Sequence, residues 1–267
     1  MKVVILAGGF GTRLARDIRN DASGKYKELL HLPKSLLPIG QKPLLSHWMK
    51  LFQESDDIEH VYIETNDCFY DQFMKWSQEW PDFISVVNDK TSTNKSRLGA
   101  VAALDFAVSS FGVEQSDLII VAGDTLFYSD FDLSKMIDQF RKLKLENPTC
   151  SLVTVYDCAK DDVVKHGILE TNSQNRVTMF LEKPQPDETQ SRSACPCFYI
   201  LSPAALKEVS IFLEDKKNSP LTEKDATGNF LNHLYKRLPV FTYKISGRFD
   251  VGGLSSYLEC VTYFDES

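Results

Sequence analysis

Apolar runs rich in Val, Ile and Tyr recur at 2–7, 61–65, 84–87, 117–122, 150–156, 177–181, 197–201 and 240–245, and each predicts a strand. Between them, apolar positions return at the three- and four-residue spacing of a helix in 43–54, 70–80, 98–111 and 133–144. Strand and helix therefore alternate through the first half. That order implies right-handed crossovers and a largely parallel sheet, with ligands beyond the carboxyl ends of its strands. The second half reads differently: strands follow closely from about 150 to 201, helices are predicted at 203–213 and 223–236, and a last one starts near 254. The fold class predicted is α/β, a Rossmann-like mixed, mainly parallel sheet flanked by helices, with α+β decoration in the second half. The polar stretches 184–193 and 214–225 read as loops, and no linker divides the chain, so one domain over 1–267 is expected.

Composition narrows the partners. With 267 residues, 43% hydrophobic and 25% charged, the chain has the length and balance of a globular protein with a real core. Its longest apolar stretches, at 3–7 and 118–122, fall far short of the roughly 20 helical residues that cross a bilayer. Net charge is −7 and no Lys/Arg block is large enough to follow a phosphate backbone, so neither nucleic acid nor membrane is an expected partner. The opening MKVVILAGG lacks the long apolar region of a secretory signal, and a cytoplasmic location is expected.

The six cysteines are scattered and read as reduced thiols. Cys195 and Cys197 have the wrong spacing for a metal or redox pair, and CPCFYIL predicts a buried strand instead. The five histidines form no cluster, which argues against zinc or a general base; His166 reads as ordinary packing or exposure, with contact to a sugar, by its position, the alternative. Trp48, Trp76 and Trp80 stand at core spacings.

The chemistry concentrates in KVVILAGGFGTRL, where an apolar strand runs straight into a turn with three glycines in four positions. Without side chains, backbone N–H groups can converge on an anion, and phosphate is the natural guest. A P-loop would need GxxxxGK[ST], which is missing. A dinucleotide fingerprint would need a small residue where Leu14 stands, and a plain turn would need fewer glycines.

LAGGFGTRL followed by PKSLLPIGQKPLL at 33–45 resembles the signature of the sugar-1-phosphate nucleotidylyltransferases, also called sugar nucleotide pyrophosphorylases, in particular the glucose-1-phosphate thymidylyl- and uridylyltransferase-like members. The resemblance extends in order through LGAVAAL, VAGDTLF, HGILE, FLEKP and RFDVGG. It implies an enzyme that joins a sugar 1-phosphate and a nucleoside triphosphate into an NDP-sugar, releasing pyrophosphate by Mg²⁺-dependent in-line attack on the α-phosphate. It also implies a nucleotide-binding part over roughly 1–130 and a sugar-phosphate-binding part over roughly 131–267. A catalytically inactive sugar-nucleotide sensor or regulatory subunit of the same fold is the alternative.

Residue by residue, the resemblance implies that Leu6, Ala7, Gly8, Gly9, Gly11 and Thr12 hold the nucleotide, with Leu98 and Gly99 against the base. Arg13 would grip the β and γ phosphates and Lys34 the α-phosphate, the two catalytic cations. An insertion near RNDASGKYKELLHL makes Lys25 and Lys27 rivals, but PKSLLPIGQKP fixes the register around Lys34; the insertion itself would form a lid or an allosteric surface. Asp124 and Asp250 would bind Mg²⁺, and Gly167, Glu182 and Lys183 the sugar phosphate. Cys195 and Pro196 stand where the family often places a glycine beside the sugar. The short stretch after Asp250 predicts no left-handed β-helix, and assembly, a homo-oligomer included, is left open.

Overall fold

The computed structural model describes residues 1–265. The first half runs β1 (Lys2–Leu6), α1 (Thr12–Asn20), two short strands β2 (Pro38–Ile39) and β3 (Lys42–Pro43), then α2 (Leu44–Gln53) and β4 (His60–Thr65). It continues with α3 (Tyr70–Ser77), β5 (Ile84–Asn88), α4 (Ala100–Phe111), β6 (Leu118–Ala122), β7 (Thr125–Phe127) and α5 (Leu133–Glu146). The second half has β8 (Ser151–Asp157), β9 (Gly167–Thr171), β10 (Val177–Glu182), β11 (Ser193–Cys195), β12 (Phe198–Leu201) and α6 (Pro203–Asp215). It closes with α7 (Leu221–Lys224), α8 (Thr227–Leu234), β13 (Val240–Lys244), β14 (Arg248–Asp250) and α9 (Leu254–Asp265).

One mixed sheet carries ten strands in the order β10-β9-β11-β8-β12-β6-β1-β4-β5, with β13 added beside β8. The parallel core expected from alternation is β6-β1-β4-β5. The second half joins it antiparallel through β12, and only β13 runs parallel to its neighbour there. β1 lies between β4 and β6, so the chain leaves it to build one side of the sheet and returns on the other. That switch point opens a crevice at the carboxyl ends of β1 and β6, where α/β folds hold ligands.

Period-two alternation sends Val3 and Ile5 of β1, with Ile119 and Val121 of β6, into a core shared with α1, α2, α3, α5 and α9. Val4, Leu118 and Ile120 face the other core, closed by α4, α6 and α8. The helices on both faces are thus those that the apolar stripes require. Trp48 is the hub of the first core: its indole stacks on Phe52, meets Phe127 and Phe198, and donates Nε1–H to the carbonyl of Thr125 at 2.7 Å.

Two expectations need correction. The strand predicted through CPCFYIL is two strands: β11 ends at Cys195, Pro196 has no N–H to extend a ladder, and β12 starts only at Phe198. The helix predicted over 223–236 breaks into α7 and α8 at Ala226, whose extended backbone (ψ 133°) leaves the helical path, while the side chain of Asp225 just before it bonds the first turn of α4. The glycine loop also leads directly into α1, a helix that the apolar spacing did not announce.

Candidate active site

The crevice is a cavity of about 700 Å³, and every residue expected to carry chemistry lines it. β1 delivers Leu6, Ala7, Gly8, Gly9, Gly11, Thr12 and Arg13 to one wall, and the turn ahead of α4 adds Leu98 and Gly99. Asp124 follows β6, while Gly167, Glu182 and Lys183 come from β9 and the end of β10 on the opposite wall. Asp250 ends β14.

Lys34 sits in the 3-10 turn Lys34–Leu36, and its Nζ lies 2.9 Å from Oδ2 of Asp124. Burial alone would push the Asp124 carboxyl up, but the charge and hydrogen bond of Lys34, with help from Arg248, hold it below the ordinary carboxylate range. None of residues 14–33 lines the cavity, so Lys34, and neither Lys25 nor Lys27, stands there. The insertion's short 3-10 turn Lys27–His31 instead buries Leu29 in the core beside α1.

Asp250 meets Asp124 through backbone pairing. β14 runs antiparallel to β7 with Asp250 opposite Thr125, and the N–H of Val251 donates to the carbonyl of Asp124 at 3.0 Å. Arg13 Nε donates to the carbonyl of Gly252 at 2.9 Å, and its Nη2 stands 3.8 Å from Oδ1 of Asp250. A Cβ at Gly252 would lie 1.9 Å from that Nη2, so the bare position makes room for the arginine. The Arg13 side chain remains 62% exposed, free to reach an incoming polyanion.

On the opposite wall, successive strand residues should face opposite ways, yet Glu182 and Lys183 both line the cavity. Lys183 adopts φ +52°, a left-handed conformation that breaks the alternation at the strand end. Glu182 is packed against two glycines: a Cβ at Gly228 would lie 1.9 Å from its Oε2 and one at Gly167 3.1 Å away. Burial pushes its carboxyl up, partly countered by Lys183. Cys195, Pro196 and Cys197, now a bend between strands, complete this wall.

Several residues of the site were not expected to belong to it. Arg248 lies two positions before Asp250 on β14, so strand alternation puts both on one face; its Nη1 lies 3.1 Å from Oδ2 of Asp250. That i, i+2 spacing in RFD was the available signal. His166, read as packing, lines the cavity between Tyr156 and Arg248, at 3.3 Å and 3.5 Å. Burial, reinforced by Arg248, lowers its imidazole to about 4 and keeps it neutral. Asp225 accepts from the N–H of Ala100 at 2.9 Å and from Arg97 Nη2 at 3.0 Å, with Gly99 at φ +87° pressed beneath it. Glu64, wholly buried, lies behind Gly8.

The family model described as nucleotidyl transferase matches residues 2–266. A mannose-1-phosphate guanyltransferase of Aspergillus fumigatus is 26% identical over 214 residues, 79% of this chain and 52% of the relative. A UTP–glucose-1-phosphate uridylyltransferase of Synechocystis is 24% identical over 214 residues, 77% of this chain and 50% of the relative. The chain thus spans about half the length of the curated relatives it matches. Among solved structures, the UTP-bound UGPase from Acinetobacter baumannii superposes with a TM-score of 0.71 at 19% identity, covering 98% of this chain and 92% of that one. At that identity the likeness speaks for the fold.

Proposed function

The chain belongs to the nucleotidyl transferase family, and from that premise we propose that it joins a sugar 1-phosphate to a nucleoside triphosphate, giving an NDP-sugar and pyrophosphate. The observation that carries this reading is the convergence of every expected residue, from both halves of the chain, on one cavity. A phosphate oxygen of the sugar 1-phosphate attacks the α-phosphorus; the bond from that phosphorus to the β-phosphate oxygen breaks, and pyrophosphate leaves with the electron pair. The nucleophile is already an anion at neutral pH, so no side chain has to remove a proton.

Positioning and charge then do the catalysis. The glycine loop offers bare backbone to the nucleotide, and Leu98 and Gly99 flank the base. Arg13, tethered at Gly252 but exposed, offers a planar fork to the departing β and γ phosphates. Lys34, beside Asp124, presents a compact charge to the α-phosphate. Gly167 and Glu182 face the sugar hydroxyls and Lys183 its phosphate.

The residues present fit a hard divalent cation. Asp124 and Asp250 offer only oxygen, and Oδ1 of Asp250 is buried with no hydrogen-bond partner. Among the described residues no trio of His, Cys, Asp and Glu could hold an ion, which suits Mg²⁺, an ion that keeps several waters and takes one or two carboxylates. Asp124 and Asp250 would hold it, and when bound it would supply positive charge to the polyphosphate.

The test is pyrophosphate release with Mg²⁺ from ATP, GTP, CTP, UTP and dTTP, each paired with several sugar 1-phosphates, against an Asp124→Asn control. A productive pair that is lost in the control supports the reading. Silence across the grid from folded protein refutes it.

A further inference from the structure

Glu64 is an ionisable side chain at the carboxyl end of the sheet core, next to the last residue of β4 and fully shielded from solvent. Its place is directly under the glycine loop. β1 pairs with β4 so that Leu6 is opposite Glu64, and the Ala7 N–H donates to the Glu64 carbonyl at 2.9 Å. The side chain then turns up into the loop: Gly8 N–H donates to Oε2 at 3.2 Å. A Cβ at Gly8 would lie 2.5 Å from Oε1, so Gly8 is bare because the carboxyl fills the space beneath it.

Oε1 itself is buried and accepts from no N–H or hydroxyl. On its other side stands Asp89, just past β5, whose carboxylate is near enough to push the Glu64 carboxyl up. Asp89 is fixed in place, accepting from Thr91 N–H at 2.7 Å and Thr91 Oγ1–H at 3.0 Å. A wholly buried carboxyl with one backbone donor, one unpartnered oxygen and a carboxylate for a neighbour is held as the neutral acid. Asp89 has its donors from Thr91, so the deeper Glu64 is the partner that keeps the proton.

Resting on the nucleotidyltransfer reading above, we propose that Glu64 is a positioning residue for the nucleoside triphosphate: as the neutral acid it braces the glycine loop, donating to Asp89 and accepting from Gly8, and its ionisation weakens nucleotide binding. Burial first, and then Asp89, push its carboxyl up to about 8. The groups facing it are Asp89 from the β5 side and the backbone N–H of Gly8 and Ala7 from the β1 side. α4, which packs against β4, carries one charged residue, Asp105, which accepts a hydrogen bond from Ser210 of α6. Loss of the proton leaves two adjacent anions under the loop and repels the triphosphate above.

The test compares wild type with Glu64→Gln, whose amide can donate to Asp89 and accept from Gly8 but cannot ionise. Dissociation constants for ATP, GTP, CTP, UTP and dTTP with Mg²⁺ are measured by calorimetry at pH 7 and pH 9. For the tightest binder, wild-type affinity falls about tenfold between the two pH values, while that of the Gln variant changes less than about twofold. A second readout needs no nucleotide. An acid held neutral by the fold stabilises it below its ordinary pKa, and that contribution is lost as pH rises toward the folded value. The melting temperature of the Gln variant therefore gains on wild type between pH 5 and pH 8.

Parallel pH curves for binding overturn the proposal and leave the proposed reaction standing. A constant melting-temperature gap overturns the neutral Glu64 acid, and the proposal with it. Folded wild type that binds none of the five triphosphates overturns both the proposal and the reaction.

Discussion

Lys34 Nζ stands 2.9 Å from Asp124 Oδ2, a pair that joins the turn after the insertion to the carboxyl end of β6 across 90 positions of sequence. The contact puts one cation and one carboxylate side by side at the floor of the cavity. Each is matched on the far side by a second pair, Arg248 with Asp250 at 3.1 Å. Four charged side chains of the cavity lining are thus joined in two ion pairs, one at the end of β6 and one on β14.

Lys34→Ala removes the cation proposed to face the α-phosphate and strips Asp124 of its partner. Turnover should fall by about 10²- to 10³-fold, the range for loss of one preorganised charge-stabilising group. Lys25→Ala and Lys27→Ala, changed outside the cavity, should leave turnover within about twofold of wild type. Initial rates of pyrophosphate release decide the matter, and a larger loss in either of the latter two would reassign the role.

Gly252→Ala places a Cβ 1.9 Å from Nη2 of Arg13 and 2.6 Å from Oδ1 of Asp250, so it parts this pair from both sides. The arginine can swing away because its side chain is largely exposed, so the melting temperature should change by less than about 2 °C. Its guanidinium can no longer lie beside Asp250, and kcat/KM should drop at least about tenfold. Near-normal kcat/KM in the folded variant would mean that Arg13 acts from another position.

Trp48→Phe keeps an aromatic ring in the core but leaves the Thr125 carbonyl without its indole donor. The cost should be about 1–3 kcal/mol, read from urea denaturation. Because Thr125 follows Asp124, a loss of turnover larger than the loss of folded protein would show that the tryptophan also steadies the carboxylate.

His166 is held at about 4 against an ordinary 6.5, mainly by burial and then by Arg248. A histidine whose folded value is depressed favours the unfolded chain once that chain can protonate. Stability is thus present above about pH 6.5 and declines as pH falls toward 4. His166→Asn should show a shallower decline over that window in a series of thermal melts. Turnover of wild type should show no inflection near pH 6.5 from this group.

Eight strands (β1, β4, β5, β6, β8, β10, β12 and β13), most helices and much of the cavity lining were legible in the sequence, because each rests on a local signal; the short β2, β3, β7, β11 and β14, and β9, were not. Val3 to Leu6 are apolar and end in glycines, and Asp124 follows another apolar run. Both announce strand ends, and strand ends are where an α/β sheet holds its ligands. Lys34 could be placed because prolines and apolar residues on both sides of it set its register, and the structure puts it in the cavity.

What escaped depends on partners far away in sequence. Asp225 looked like one residue of a helix because nothing near it shows that the N–H of Ala100 needs an acceptor. Glu64 looked like one polar position in a strand, and only the meeting of β1, β4 and β5 reveals its neighbours. CPCFYIL read as one strand because apolar character survives through a bend that only the ladder exposes.

Arg13 and Gly252 are 239 positions apart, yet one holds the other. At translation rates of 5–20 residues per second, the arginine emerges roughly 10 to 50 s before the carbonyl that tethers it. For all that time a nascent chain carries a glycine loop and a loose guanidinium but lacks Asp250 and the strand that presents it. The tether on Arg13 and the strand that carries Asp250 thus come from the last part of the chain to be made, and both depend on β14 docking on β7.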